Sequence, residues 1–202
     1  MKFRDLFIVI GLLIVVVIGS WATTALRGKK PGEGMLPAIA QMPDFTLINQ
    51  DGRPVTGKDL AGTPYILDFI FTSCTDFCPS MTREMGNIRK ALGEQSRVRT
   101  VSVSVDPERD KPAVLKKYAG TNNKSGDDRW LFLTGEQKEI SNVLLGLHLV
   151  STRDVVNPDP SMHNQRFILV DAGGTVRGYY HYDDEQARER LVRDAKRLEA
   201  EK

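Results

Sequence analysis

Tyr65–Met81 reads YILDFIFTSCTDFCPSM, and it divides into three parts. An apolar, β-prone run occupies 65–72. The only two cysteines of the chain follow, Cys74 and Cys78, with three residues between them. An amphipathic run then begins near Ser80 and continues to Leu92. Strand, cysteine loop and helix in that order put both thiols just past the carboxyl end of a strand, where open α/β sheets place their sites.

Outward from this stretch, β-type and helical segments alternate. FTLI at 45–48 comes before it. VRTVSVSV at 98–105, a helix after Pro112 and LFL at 131–133 come after it. Thr134 with Gln137 resembles a capping box and predicts a helix through Leu145, whose Ile140, Val143, Leu144 and Leu147 share a face. RFILV and TVRGYYHY flank Asp171-Ala-Gly-Gly, which has the composition of a hairpin turn. A last helix from Asp184 aligns Ala187, Leu191, Ala195 and Leu198. Crossover units give parallel pairing and the closing hairpin adds antiparallel strands, so a mixed sheet flanked by helices is expected. That order suits a thioredoxin-like α/β domain over 43–202.

The amino-terminal region is of another kind. Leu6–Ala25, LFIVIGLLIVVVIGSWATTA, carries no charge. As a helix rising about 1.5 Å per residue it reaches across the ~30 Å hydrocarbon core, so one transmembrane anchor is expected there. A cleaved signal peptide is the competing reading, and the length of the run argues against it. Basic residues flank both sides, so charge does not set the orientation. Residues 26–42 are rich in Gly, Pro and Lys and read as a linker. The 28 basic and 26 acidic side chains are mixed along the chain without a basic stripe, which gives nucleic-acid binding no support.

Four readings compete for the cysteines: structural disulfide, redox couple, peroxide-reducing thiol or half of a metal site. In one helical turn the pair would lie about 6 Å apart at Cα, within disulfide range. So short a loop constrains little of the unfolded chain, which argues against a purely structural bridge. A helix amino terminus lowers a thiol's pKa, so reactive thiolates are expected. Of the three histidines, His148 at a helix end reads as packed or capping and His181 on a strand as solvent-facing. His163 differs, since it lies in the irregular, Pro-rich NPDPSMHNQRF just before a strand. Asp106 before Pro107 reads as a turn residue, Met81 and Met85 as core, and Asp76 and Asp171 as solvated turn acids.

DFIFTSCTDFCPSM, VSVDPERDKP and HNQRFILVDAGG together resemble the three signatures of the Sco/SenC family, and the likeness covers the chain from Pro43 onward. Thr75 stands where the family usually has Pro, and Ser161-Met162 precede the histidine where it usually has a hydrophobic and an acidic residue. The resemblance implies a membrane-tethered, thioredoxin-like domain facing the periplasm or the equivalent intermembrane space. It implies binding of copper, as Cu(I) or Cu(II), through Cys74, Cys78 and His163, and help in assembling the CuA centre of cytochrome c oxidase. The CuA-bearing subunit is the implied partner, with a copper-donating protein as a further candidate. Two soft thiolates and an imidazole suit copper, although the same set could hold zinc. A thiol–disulfide reductase that keeps the CuA cysteines reduced is the alternative. A peroxiredoxin-like peroxidase using Thr75-Asp-Phe-Cys78 lacks the Pro that its pattern requires, because Phe71 stands there.

Overall fold

Tyr65–Ile70, designated β4, is buried at all six positions in the computed structural model. A continuous apolar run rather than an alternating one is what a strand covered on both faces requires. The structure describes residues 35–123, 126, 128–149 and 165–201. The chain divides into two units, Met1–Met35 and Leu36–Lys202. The apolar stretch 6–25 and His163 both lie outside the described residues. Among the described residues no helix is long and apolar enough to cross a membrane.

The second unit is built on one mixed sheet of eight strands: β1 (Ala40–Gln41), β2 (Thr46–Asn49), β3 (Pro54–Thr56), β4, β5 (Arg99–Ser104), β6 (Trp130–Thr134), β7 (Arg166–Val170) and β8 (Thr175–His181). Their spatial order is β1-β8-β7-β4-β5-β6-β2-β3. β4, β5 and β6 run parallel, and the remaining neighbours pair antiparallel. The helices are α1 (Gly57–Leu60), α2 (Cys78–Leu92), α3 (Pro112–Asn122), α4 (Gln137–Gly146) and α5 (Glu185–Ala200). One core joins α2, α3 and α5 to Ile66, Ile70, Trp130, Phe132, Phe167 and Leu169. The other joins α1 and α4 to Tyr65, Leu67, Phe69, Val101, Val103 and Ile168. The expected mixed sheet with helices on both faces is therefore present.

Local chemistry sets the ends of these elements. Pro79 occupies the first turn of α2, where its missing N–H costs nothing, and Gly93 follows the helix at φ 96°, a conformation that suits glycine. Asp184 caps α5 by accepting the Ala187 N–H at 3.0 Å. Asp171 holds the β7–β8 hairpin by accepting the N–H groups of Gly173 and Thr175, at 2.9 and 2.8 Å, and it pairs with Arg177 at 2.7 Å.

Three details differ from the sequence expectations. Ala40–Gln41 lies inside the stretch read as linker, yet it pairs with β8 as an edge strand, because backbone pairing there needs no apolar pattern. Thr134 stays in β6 opposite Ile48 instead of capping a helix, and Glu136 precedes α4. The chain passes so close to β2 that a Cβ at Gly135 would stand 2.7 Å from Leu47 Cδ2, so tertiary pairing overrides the local capping signal. His148 is exposed rather than packed, and it closes α4 in the left-handed region at φ 54°, donating its N–H to the Leu145 carbonyl at 2.9 Å.

Register decides what meets at the site. Ile70 is opposite Ser104, Leu67 is opposite Ile168, and Arg166 is opposite His181. The carboxyl ends of β4, β5 and β8 and the amino end of β7 therefore share one edge of the layer. The cysteine loop, the Asp106–Asp110 turn, Gln165 and Tyr182 all emerge there.

Candidate functional site

Cys74 and Cys78 are both free thiols, reached by different backbone routes. Cys74 lies in a turn closed by its own N–H on the Phe71 carbonyl at 3.2 Å. Cys78 is the first residue of α2, two positions earlier than the sequence pattern placed the helix start. Cys74 is 9% exposed and lies between the exposed Ser73 and Thr75, whereas Cys78 is fully buried. One sulfur therefore borders solvent and the other backs onto the core formed by Met81 and Met85.

The expectation of a lowered thiol pKa at the helix amino terminus fails for Cys78. Burial pushes its thiol well above the ordinary range. A backbone hydrogen bond from Phe71 works the other way, while a hydrogen bond with Cys74 and the negative charges of Cys74 and Asp68 add to the rise. The helix dipole acts over the first turn only and is smaller than the cost of a buried anion. In the absence of a metal or an attacking partner, Cys78 is a protonated, covered thiol. In mapping by mass spectrometry, iodoacetamide is accordingly expected to modify Cys74 at least about tenfold faster than Cys78, because thiolate and access both control alkylation. Equal rates would contradict this picture.

Two acids that the sequence reading passed over converge on this edge. Asp68 sits in the middle of β4 on the face of Ile66 and Ile70, the one charged-type side chain of the strand. It is fully buried and neither carboxyl oxygen has a hydrogen-bond partner of ordinary geometry, although Ser102 lies opposite and favours its charged form. Burial pushes its pKa up to about 7. Asp110, at the end of the DPERD turn, is equally buried but fully satisfied, with Thr72 and Ser104 as donors. The first acid had a visible signal, a carboxyl inside a continuous apolar run. The second was signalled by an acid repeated at the end of a turn motif.

Around the thiols stand Tyr118 of α3, whose hydroxyl is 2.8 Å from Thr82 Oγ1, and Phe77, whose ring lies 6.1 Å from that of Tyr182. Tyr118 is pushed up to about 12 by burial, with the charges of Asp68, Cys78 and Cys74 adding to it. His181 neighbours Tyr182 but faces solvent, as expected, with Nδ1 2.5 Å from Asp183 Oδ1. Asp106 acts as the expected turn residue, its carbonyl accepting the N–H groups of Arg109 and Asp110. Met81 and Met85 are core, Asp76 is exposed, and Asp171 belongs to its hairpin. Among the described residues no three His, Cys, Asp or Glu side chains form a metal-holding group. Two adjacent thiols do fit a soft ion, and a third donor must come from elsewhere.

A parallel three-strand centre with paired thiols at its carboxyl edge and helices on both faces defines a thioredoxin-like thiol protein. The chain belongs to the SCO1/SenC family, whose model matches residues 34–199. It is 37% identical over 162 residues to the SCO1 protein homolog of Bacillus subtilis, covering 79% of this chain and 83% of that one. The structure of BsSco, a member of the Sco family of cytochrome c oxidase assembly proteins in which a disulfide switch was identified, is similar at a TM-score of 0.70 and 36% identity, covering 82% of this chain and 97% of that one. Copper-bound ScoI of Bradyrhizobium japonicum is similar at a TM-score of 0.63 and 30% identity, over 79% of this chain and 99% of that one.

Proposed function

We propose that this protein is a membrane-tethered copper metallochaperone that carries one copper ion on Cys74, Cys78 and His163 and delivers it to the CuA-bearing subunit of cytochrome c oxidase. The observation that carries the reading is the pair of free thiols at the carboxyl edge of the sheet, one 9% exposed and one fully covered. Gln165 supports it, since its carbonyl accepts the Tyr182 N–H at 3.0 Å on that same edge. His163 is two residues before Gln165 in the sequence. Copper in a related protein of the same fold supports the choice of metal. The uncharged stretch 6–25 supports an anchor that holds the domain on the outer face of the plasma membrane, or the equivalent intermembrane face.

The chemistry follows from the thiols. Copper loading displaces the Cys78 proton, so affinity rises with pH. Cys74, at 9% exposed the less covered of the two, is the sulfur that a receiving protein's thiolates reach first, and three protein donors leave a coordination position through which the ion passes on. Oxidation to the Cys74–Cys78 disulfide removes two of the three donors. A thiol–disulfide reductase acting on the CuA cysteines is the second reading, favoured by the two free thiols four positions apart and by the disulfide switch in BsSco. There Cys74 attacks the partner disulfide and Cys78 resolves the mixed intermediate, giving a Cys74–Cys78 disulfide and two partner thiols.

The test is an anaerobic Cu(I) titration of the reduced full-length chain in detergent micelles against a competing chelator. One copper per chain is expected, with His163→Ala and Cys78→Ser each weakening binding by at least about a hundredfold, the effect of losing one of three ligands. Binding indifferent to His163 would overturn the three-ligand site and leave the reductase.

A further inference from the structure

The two thiols are positioned by different means. Cys78 moves with α2, whereas Cys74 lies in irregular chain whose place depends on what holds residues 71–74. That hold comes from the far end of the turn after β5. The fully buried Asp110 accepts the Thr72 N–H on Oδ2 at 2.9 Å, the Thr72 hydroxyl on Oδ1 at 2.5 Å and the Ser104 hydroxyl on Oδ2 at 2.5 Å. The turn is wound to bring the carboxyl there. Asp106 donates its N–H to Ser104 Oγ at 3.1 Å, and its carbonyl accepts the N–H groups of Arg109 and Asp110 at 3.2 and 2.8 Å.

A buried carboxyl needs donors, and a turn acid commonly takes them from its own turn. Asp110 takes two of its three from Thr72, two residues ahead of Cys74. We propose that Asp110 is a positioning residue that sets where Cys74 stands relative to Cys78, and through that both the copper affinity and the redox balance of the thiol pair. The proposal rests on the copper-and-thiol reading of the site. Chelation requires both sulfurs to converge on one point, and a disulfide requires a narrow separation and torsion. When the loop is released, both products must order residues that Asp110 had ordered in advance.

The test uses the full-length chain in detergent with three variants: Asp110→Asn, which turns an acceptor into a donor facing donors; Thr72→Val, which removes one hydroxyl; and Ile140→Val, which trims the core on the opposite face of the sheet from α2. Two quantities are read, the Cu(I) constant and the equilibrium with glutathione. In the latter, the dithiol gives two electrons and two protons to one glutathione disulfide, leaving one intramolecular S–S bond and two glutathione thiols. Asp110→Asn is expected to weaken copper binding about tenfold and to lower the disulfide equilibrium constant about tenfold, a potential about 30 mV less negative. Thr72→Val is expected to move both quantities in the same direction, and Ile140→Val to leave both within about twofold.

The proposal is overturned if Asp110→Asn leaves both constants within about twofold of the parent, or if Ile140→Val shifts them as much. Should Asp110→Asn not fold, Thr72→Val decides alone, and no shift there overturns the proposal. If the parent binds no copper while its glutathione equilibrium still responds to Asp110 and Thr72, the copper reading fails and the positioning role stands.

Discussion

Replacing Asp68 by Asn is expected to flatten the pH dependence of stability between about pH 4 and pH 7. The carboxyl is fully buried with no hydrogen-bond partner of ordinary geometry, and burial, only partly opposed by Ser102, raises its pKa from 3.8 to about 7 in the folded protein. Between those values the folded state holds a proton that the unfolded state has released. The contribution of Asp68 is therefore fully present below about pH 4, is lost as pH rises through 7, and is flat above that. At 1.36 kcal/mol per pKa unit the span reaches at most about 4 kcal/mol. Asn is neutral at every pH and nearly isosteric, so the variant should match or exceed the parent above pH 7 and show no such slope below it. Urea midpoints at pH 4.5 and pH 8 for both proteins measure the difference, because every other titrating group is common to the pair. Parallel profiles would mean that Asp68 is ionised or hydrated in the folded state. The same substitution removes a negative charge that holds the Cys78 thiol up, which links this buried acid to the site.

The second large effect is expected at Trp130. Its side chain is essentially buried, stacks on Phe132 at 5.0 Å and 26°, donates its indole N–H to Ser102 Oγ at 3.1 Å, and has the Arg89 guanidinium 5.6 Å from its ring. Ser102 is the register partner of Asp68, so the indole also orients the hydroxyl beside the buried acid. Trp130→Ala should cost about 3–5 kcal/mol, the range for emptying a large aromatic site that cannot collapse between a sheet and a packed helix. Trp130→Phe should recover most of that loss but not the hydrogen bond, about 1 kcal/mol. Chemical denaturation followed by circular dichroism reads both, and a loss under 1 kcal/mol for the alanine variant would show that the site refills.

Much of this arrangement was legible in residues 65–81. A strand apolar at five of its six positions implies cover on both faces, and the following cysteines and amphipathic run place the thiols at the strand's carboxyl edge. Alternation along α4 and α5 exposed their buried faces, since Ile140, Val143, Leu191 and Leu198 are core as their spacing implies. The Thr134 cap was not legible, because a local capping signal competes with strand pairing whose partner, Ile48, is far away in sequence. Nor was the state of the Cys78 thiol, since dipole and burial oppose each other and burial is a property of the assembled core.

Sequence alone determined the family, the alternation of strands and helices from Tyr65 onward, the paired cysteines and the donor chemistry they offer, because these depend on residue type and spacing along the chain. Tertiary structure decided which groups act together: Asp68 opposite Ser102, Asp110 on Thr72, and a Cys78 thiol more deeply covered than that of Cys74. The reason is physical. Register and sheet order bring residues thirty or more positions apart to one edge, and desolvation there sets their charge.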